Sequence, residues 1–179
     1  MKFNLPVLLT CCTLVATTVF GNEPTASAVN NSTTTTVPHC EVPCGIYSDQ
    51  HRFEEMLEDT ATIAKSIASI KEITDGLTSA GPTPKSLNQS VRWVTTKESH
   101  ATNMQHIVSQ YFLTQQIKAE NANYGKQLAA SHAVLVAAMK CKQDADPATA
   151  VTLKEAIYNL YRAYEGKEPQ LGHDHSNKK

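Results

Sequence analysis

The feature that most constrains this chain is a nine-residue segment at positions 39–47, which reads HCEVPCGIY. It contains two of the five cysteines and one of the seven histidines. Two thiolates, an imidazole and nearby backbone amides form a soft donor set that suits nickel, copper or zinc. Pro43 turns the chain and Gly45 permits a tight bend, which can bring Cys44 back towards a metal held by Cys40. The segment therefore predicts a metal-binding turn.

The two cysteines of this segment also allow two simpler interpretations. In an oxidising compartment, Cys40 and Cys44 can close a small disulfide loop. They can also supply half of a zinc site, although no second Cys/His pair of matching spacing follows in the sequence. Taken alone, the Cys-x3-Cys spacing favours the disulfide, so the residues around it must decide between these interpretations.

Six residues of the segment match the His-Cys-x-x-Pro-Cys-Gly-x-Tyr pattern of the metal hook in nickel superoxide dismutases. They are His39, Cys40, Pro43, Cys44, Gly45 and Tyr47. The chain thus resembles that family, and the resemblance favours nickel over the disulfide. It implies an oxidoreductase that converts superoxide to oxygen and hydrogen peroxide by redox cycling of a nickel ion bound in the hook.

The resemblance also implies a set of ligands. Cys40 and Cys44 would supply two thiolates, which together with a deprotonated amide stabilise the higher oxidation state and favour square-planar geometry. The α-amine of His39 and the backbone amide of Cys40 would complete the plane, and the His39 ring would be an axial ligand. Tyr47 would place its phenol near the open face, where it would order water or small anions and gate access.

The same resemblance implies a small number of residues around the metal from outside the hook. Glu54 corresponds to a glutamate near the axial imidazole. Because the chain is one residue short between Tyr47 and Arg52, Glu55 remains an alternative for that role. Tyr111 corresponds to a second tyrosine near the metal, and its alternative is an ordinary aromatic residue of the core.

The residues before the hook have the order of a removable leader. Residues 1–28 contain an early lysine, an apolar run and a final Ala-Ser-Ala, which is typical of a secretory signal peptide. A retained anchor and the front half of an organelle address are the alternatives. Residues 29–38 form a polar spacer that a protease can reach.

This order predicts how the protein matures. Cleavage after Pro38 would free the α-amine of His39, so the resemblance implies a maturation protease that cuts before the hook. We expect an exported protein, secreted or periplasmic, or one that reaches an organelle through its signal peptide. After processing, no membrane attachment is expected.

Residues 48–164 are predicted to form four amphipathic helices at about 49–73, 87–117, 123–142 and 147–164, followed by a polar tail at 165–179. Short connections and no convincing strand indicate an all-α, antiparallel four-helix bundle, and the family fold agrees. The residues expected to face the core are Phe53, Met56, Leu57, Ile63, Ala64, Ile67, Ile70, Leu87, Val91, Val94, Ala101, Met104, Val108, Tyr111, Tyr124, Leu128, His132, Leu135, Met139, Val151, Leu153, Ile157, Leu160 and Tyr161.

The histidines after the hook do not have the spacing of a second metal site. His100, His106 and His132 are not separated by the four residues that place two ligands on one helix face. Some family members carry an arginine just after a Lys-Glu pair, whereas Lys97-Glu98 is followed here by Ser99-His100. Because of this departure, the sequence does not show which residues hydrogen-bond to the axial imidazole.

Net charge and the resemblance together limit the classes of partner that this protein can be expected to have. The net charge of −1 with interspersed charges gives no reason to expect nucleic acid as a partner. The resemblance implies superoxide as the substrate and a homohexamer of bundles, in which each hook is ordered against a neighbouring subunit. The rival hypotheses are a non-catalytic nickel or copper carrier and a disulfide-closed helical bundle that binds a partner.

Overall fold

The computed structural model describes residues 45–170, which fold as helices joined by short connections. The helices are α1 (Asp49–Ala80), α2 (Pro84–His106), a π-helix that continues α2 (Ile107–Gln116), α3 (Tyr124–Gln143) and α4 (Pro147–Glu165). Residues 45–170 contain no strand. The predicted all-α four-helix bundle is confirmed for this part of the chain.

Side chains at the helix starts explain where the helices begin. The Ser48 hydroxyl accepts a hydrogen bond of 3.2 Å from the backbone N–H of His51, which satisfies one of the free amides of the first turn of α1. Asp146 caps α4 by accepting from the backbone N–H of Ala148 at 2.9 Å, and Pro147 takes the first helical position. The predicted start of the fourth helix is therefore confirmed.

The connection between α1 and α2 is shorter than predicted. The first helix was expected to end near Ile73 because of Gly76, but it continues through Gly76 to Ala80. It ends at Gly81, whose φ of 76° and ψ of 169° are accessible to glycine and rarely to other residues. The second helix begins at Pro84 instead of Leu87, because Thr83 and Ser86 form a capping box.

The helix that follows α2 has π geometry over ten residues. The backbone N–H of Ile117 donates to the Phe112 carbonyl at 2.8 Å, and the Thr114 hydroxyl donates to the Ser109 carbonyl at 2.7 Å, both across five residues. Such wider turns are rare and occur frequently at functional sites. The predicted long second helix is therefore α-helical only as far as His106 and continues with π geometry.

The four helices pack in sequence order, each antiparallel to the next. α1 packs on α2 and α4, and α3 packs on α2 and α4, which closes the bundle. Side chains from all the helices form one core. The largest fully buried side chains are Tyr161, Phe53, Phe112, Met56, Ile63, Ile67, Met104, Leu153, Ile157, Leu160, Val108 and the polar Gln127.

The predicted inner faces of α1 and α2 are partly wrong because part of the α1–α2 hairpin extends beyond the end of α3. With 32 residues, α1 is about 48 Å long, whereas α3 with 20 residues is about 30 Å. The buried Lys97 of α2 already contacts the end of α3, so the turns before it have no third helix to pack on. Contrary to prediction, Leu87, Val91 and Val94 are therefore exposed.

The predicted face of α3 is only partly right, because Leu128 and Leu135 pack against the core while the other three predicted residues are exposed. Its buried side is marked by Val134, Ala138 and Cys141, together with two polar residues, Gln127 and Ser131. A search for apolar periodicity misses a face that contains polar side chains. Exposed residues that had been assigned to the core are Ala64, Tyr124, His132, Met139 and Val151.

None of the helices in residues 45–170 combines the length and apolar character that a membrane span requires.

The two glycines near the end of α1 give a matched test of this fold. Gly76→Ala should raise the free energy of unfolding by about 0.5–1 kcal/mol, because alanine is the better residue within an exposed helix. Gly81→Ala should lower it by about 1–3 kcal/mol, because its backbone conformation strains any side chain. Urea unfolding measures both values. Destabilisation by Gly76→Ala would contradict the continuation of α1 to Ala80.

Candidate metal centre

The start of α1 is tied to two other elements through one carboxylate. The Tyr111 hydroxyl from the π-helix lies 2.6 Å from Asp49 Oδ1, and the Tyr164 hydroxyl from α4 lies 3.0 Å from Asp49 Oδ2. Asp49 is the first residue of α1, where the helix dipole favours negative charge. Both oxygens of the carboxylate thus have a phenol donor.

Tyr111 also reaches the last residue of the hook. Its hydroxyl lies 3.1 Å from the backbone carbonyl oxygen of Tyr47. The structure therefore brings together Tyr47 and Tyr111, which the sequence had marked as separate candidates. Because Tyr47 is only three residues after Cys44, this contact holds the chain close to where the predicted ligands begin.

Both phenols remain protonated hydrogen-bond donors. Burial, followed by the hydrogen bond to Asp49 and the charge of that carboxylate, raises the pKa of Tyr111 above its ordinary value. Burial, followed by the Asp49 charge and hydrogen bond, raises the pKa of Tyr164 in the same direction. Neither residue therefore ionises near neutral pH, and Asp49 accepts from both.

An aromatic cluster beneath Asp49 fixes the positions of these phenols. The ring centroid of Phe112 lies 5.1 Å from that of Tyr111 and 5.4 Å from that of Tyr164, both edge-to-face. Phe53 packs on Phe112 at 4.8 Å and on Tyr161 at 4.9 Å. Edge-to-face pairs at these distances add stability beyond the burial of their surface.

The Tyr47 side chain lies at the surface beside a cation. It is 39% exposed, and the Arg52 guanidinium carbon lies 4.1 Å from its ring centroid. This is a cation–π contact. Arg52 Nη1 also lies 2.8 Å from Glu55 Oε2, so a carboxylate on the same helix orients the guanidinium. Tyr47 thus has a ring that faces solvent and a carbonyl held by Tyr111.

The two candidate glutamates have different surroundings. Glu54 accepts a hydrogen bond of 2.9 Å from the Gln50 side chain, on the exposed part of α1. Glu55 pairs with Arg52 and accepts a bond of 3.3 Å from the Asn103 amide of α2. The role of Glu54 near the axial imidazole involves His39, outside the described residues, and so stays a prediction.

A polar network continues from Glu55 along the α1–α2 contact. The Asn103 amide also donates to Asp59 Oδ2 at 2.9 Å, and His100 Nδ1 lies 2.6 Å from Asp59 Oδ1. Asp59 is buried, so these two partners replace the water that its carboxylate loses on folding. His100 of α2 therefore contacts α1 through Asp59.

Lys97, just before this network in the chain, has a structural role. Its ammonium group is buried and donates to backbone carbonyls at the end of α3, those of Cys141, Lys142 at 2.7 Å and Asp144 at 3.1 Å. These carbonyls have no partner within the helix, and a cation there is favoured by the helix dipole.

The predicted ligands His39, Cys40 and Cys44 lie outside the described residues. As a donor set, two thiolates, an imidazole and an amine fit nickel. The cysteine of α3, Cys141, is a poor alternative ligand, because its thiol is fully buried and burial raises its pKa. Within residues 45–170, no three His, Cys, Asp or Glu side chains converge as metal ligands.

Sequence reasoning missed the pairing of Asp49 with Tyr164. The sequence marked Asp49 only as the start of the first predicted helix and Tyr164 only as the end of the fourth. No short-range pattern links two residues that are 115 positions apart. Arg52 and Asn103 were also missed as partners of the candidate residues.

Comparison with known families identifies the family of this chain. Residues 32–168 match the family model of nickel-containing superoxide dismutases, and this match spans more than half of the chain. The chain belongs to the nickel-containing superoxide dismutase family. Comparisons with curated proteins and with solved structures returned no match.

Membership of this family defines the activity. The protein is a superoxide dismutase, an oxidoreductase that converts superoxide to oxygen and hydrogen peroxide, and its cofactor is nickel. The resemblance seen in the hook sequence is thereby confirmed. Nothing in the comparison favours the non-catalytic nickel or copper carrier.

The buried Asp59 tests the polar network between α1 and α2. Asp59→Asn should lower the free energy of unfolding by about 2 kcal/mol, because hydrogen bonds to a charged group are lost and two amide groups face each other. The matched control is Glu58→Gln, the same change at an exposed neighbour, which should alter stability by less than about 0.5 kcal/mol. Chemical denaturation measures both. Equal stability of the two variants would contradict the network.

Proposed function

We propose that the dismutase binds its nickel in the segment 39–47, with His39, Cys40 and Cys44 as the protein ligands. The support is the donor chemistry of the segment together with the family match, which includes it. By the resemblance, the cysteines would supply two thiolates, and His39 would supply its α-amine and a ring nitrogen.

The observation that carries this proposal is the anchoring of the hook's last residue. Tyr111 binds the Tyr47 carbonyl and Arg52 stacks on the Tyr47 ring, so the chain leaves the hook at a fixed point of the bundle. Gly45 lies between this point and Cys44 with a φ of 76°, a conformation that allows the sharp turn a compact hook needs. A metal centre attached there would be supported by rigid helices.

In the reaction, bound nickel supplies the one-electron exchange of both half-reactions. The residues around the hook would bring superoxide close to the metal. The Tyr47 phenol faces solvent and is suited to order water or a small anion at the open face. Arg52, directly over the same ring, places a positive charge where an anionic substrate arrives.

Two further residues complete the proposed surroundings of the metal. Glu54 is assigned to support the axial imidazole of His39, with Glu55 as the alternative. Glu55 already contacts Arg52 and Asn103, whereas Glu54 accepts a hydrogen bond from the exposed Gln50 side chain. This difference favours Glu54 as the residue that supports the His39 ring. Tyr111 acts from behind the hook through the Tyr47 carbonyl.

Maturation of the N-terminus is part of the same proposal. Residues 1–28 act as a targeting peptide, residues 29–38 as a propeptide, and a protease cuts before His39 so that its amine becomes a ligand. The leader directs the protein out of the cytoplasm, by export or into an organelle. The support is the sequence pattern of the leader and spacer.

We also propose a homohexamer, in which a neighbouring subunit covers each hook. The covering of the hook follows the resemblance. The support from the structure is an apolar surface at the other end of α1, where Val91 is 65% and Leu87 52% exposed, which would form a separate contact between subunits. A groove of about 470 Å³ beside it is lined by Ile73, Leu77 and Trp93 among others. Large exposed apolar surfaces mark protein interfaces. Sedimentation equilibrium of the mature enzyme tests this, and a monomer would contradict it.

The cysteines provide the direct test of the nickel site. Cys40→Ser and Cys44→Ser should each reduce bound nickel from about one per subunit to near zero and abolish dismutase activity, because a hydroxyl is a poor substitute for a thiolate. Metal analysis and superoxide turnover of the processed protein measure the two effects.

The control for these variants is Cys141→Ala, which removes the buried cysteine of α3 and should leave nickel content unchanged. If Cys40→Ser retains its nickel while Cys141→Ala loses it, the proposed ligands are wrong.

A further inference from the structure

We infer that Asp49 and Tyr164 are positioning residues for the nickel hook, although neither lies within it. Tyr164 belongs to α4, near the end of the bundle, and acts through the Asp49 carboxylate and Tyr111. This inference rests on the proposed function, because it concerns how the bundle holds the segment that binds the metal.

Asp49 links the three elements that meet at this end of the bundle. Its backbone begins α1, its Oδ1 accepts from Tyr111 of the π-helix and its Oδ2 accepts from Tyr164 of α4. With a donor on each oxygen, the carboxylate cannot rotate without losing a hydrogen bond. Bonds of this kind, with a charged acceptor, are the stronger ones in proteins.

The position of Tyr111 depends on this arrangement. Its hydroxyl has one hydrogen and two acceptors, the Asp49 carboxylate at 2.6 Å and the Tyr47 carbonyl at 3.1 Å. The hydrogen is shared between them, and the charged acceptor is the nearer. If Asp49 turns, Tyr111 follows it and the contact with Tyr47 is lost.

Tyr164 is the residue that keeps Asp49 from turning. Removing its hydroxyl leaves Oδ2 without a donor, so the carboxylate gains freedom to rotate about its side-chain bonds. The released carboxylate would draw the Tyr111 hydroxyl away from the Tyr47 carbonyl. Tyr164 thus acts on the hook through Asp49 and Tyr111.

Fixing the hook's exit has a chemical consequence. Ligands held in one arrangement lose less conformational freedom on binding a metal, so an anchored hook binds more tightly than a free peptide of the same sequence. If the attachment at Tyr47 is weakened, the hook opens more often, and each opening exposes the metal to a competing chelator.

The chain offers a matched pair of variants for the test. Tyr164→Phe removes the hydroxyl that binds Asp49. Tyr161→Phe removes a hydroxyl from the same helix and the same aromatic cluster, but the phenols that bind Asp49 are those of Tyr111 and Tyr164. Any general loss of packing or stability should therefore appear in both variants.

The experiment uses the full, processed holoenzyme and two measurements other than activity. The first is the rate of nickel transfer to an excess of EDTA. The second is hydrogen–deuterium exchange of the backbone amides at residues 45–48. We expect Tyr164→Phe to release nickel about tenfold faster and to exchange these amides faster, because one hydrogen bond to a charged group is lost. Tyr161→Phe should match the wild type in both.

Equal release and equal exchange in Tyr164→Phe and Tyr161→Phe would overturn the inference. Failure of the proposed function has a different signature: nickel would then persist in Cys40→Ser, whatever the behaviour of Tyr164→Phe. A holoenzyme in which Cys40→Ser loses nickel while Tyr164→Phe releases it at the wild-type rate would overturn the positioning role alone.

Discussion

The carboxylate of Asp49 is the contact on which the proposed positioning of the hook depends. A short irregular segment does not hold a metal in one geometry by itself, so the proposed nickel site needs support from a folded scaffold. We infer that the scaffold gives this support through Asp49, which starts α1 and accepts from phenols on the π-helix and α4. The aromatic cluster below gives those phenols fixed positions.

Polar contacts elsewhere in the bundle keep the helices aligned, and this alignment keeps Asp49 and its two phenol partners in place. Polar contacts mark the α1–α2 seam, where Asp59 binds both His100 and Asn103, and Lys97 closes the far end of α3. Such groups are costly to bury unless every partner is in place, so they favour one alignment of the helices over shifted alternatives. Alignment of α1 and α2 in turn sets the distance between Tyr47 and Tyr111.

The sequence predicts the chemistry of this protein better than its packing. The hook is a local pattern, and so are the cap at Asp146 and the helical periodicity, which is why they could be recognised. Gly76 misled the prediction because a glycine in an exposed helix is tolerated at a modest cost. The face of α3 was only partly recognised because polar side chains lie on it, and the link from Asp49 to Tyr164 joins distant parts of the chain.

The central claim is that His39 opens the mature chain and that the hook it begins carries the nickel. The most direct measurement is the N-terminal sequence of the enzyme purified from its natural source, together with its nickel content. The account predicts a chain that begins at His39, with about one nickel ion per subunit. A fully active, nickel-loaded enzyme whose chain begins at Val29 would contradict it, because the α-amine of His39 would then be part of a peptide bond.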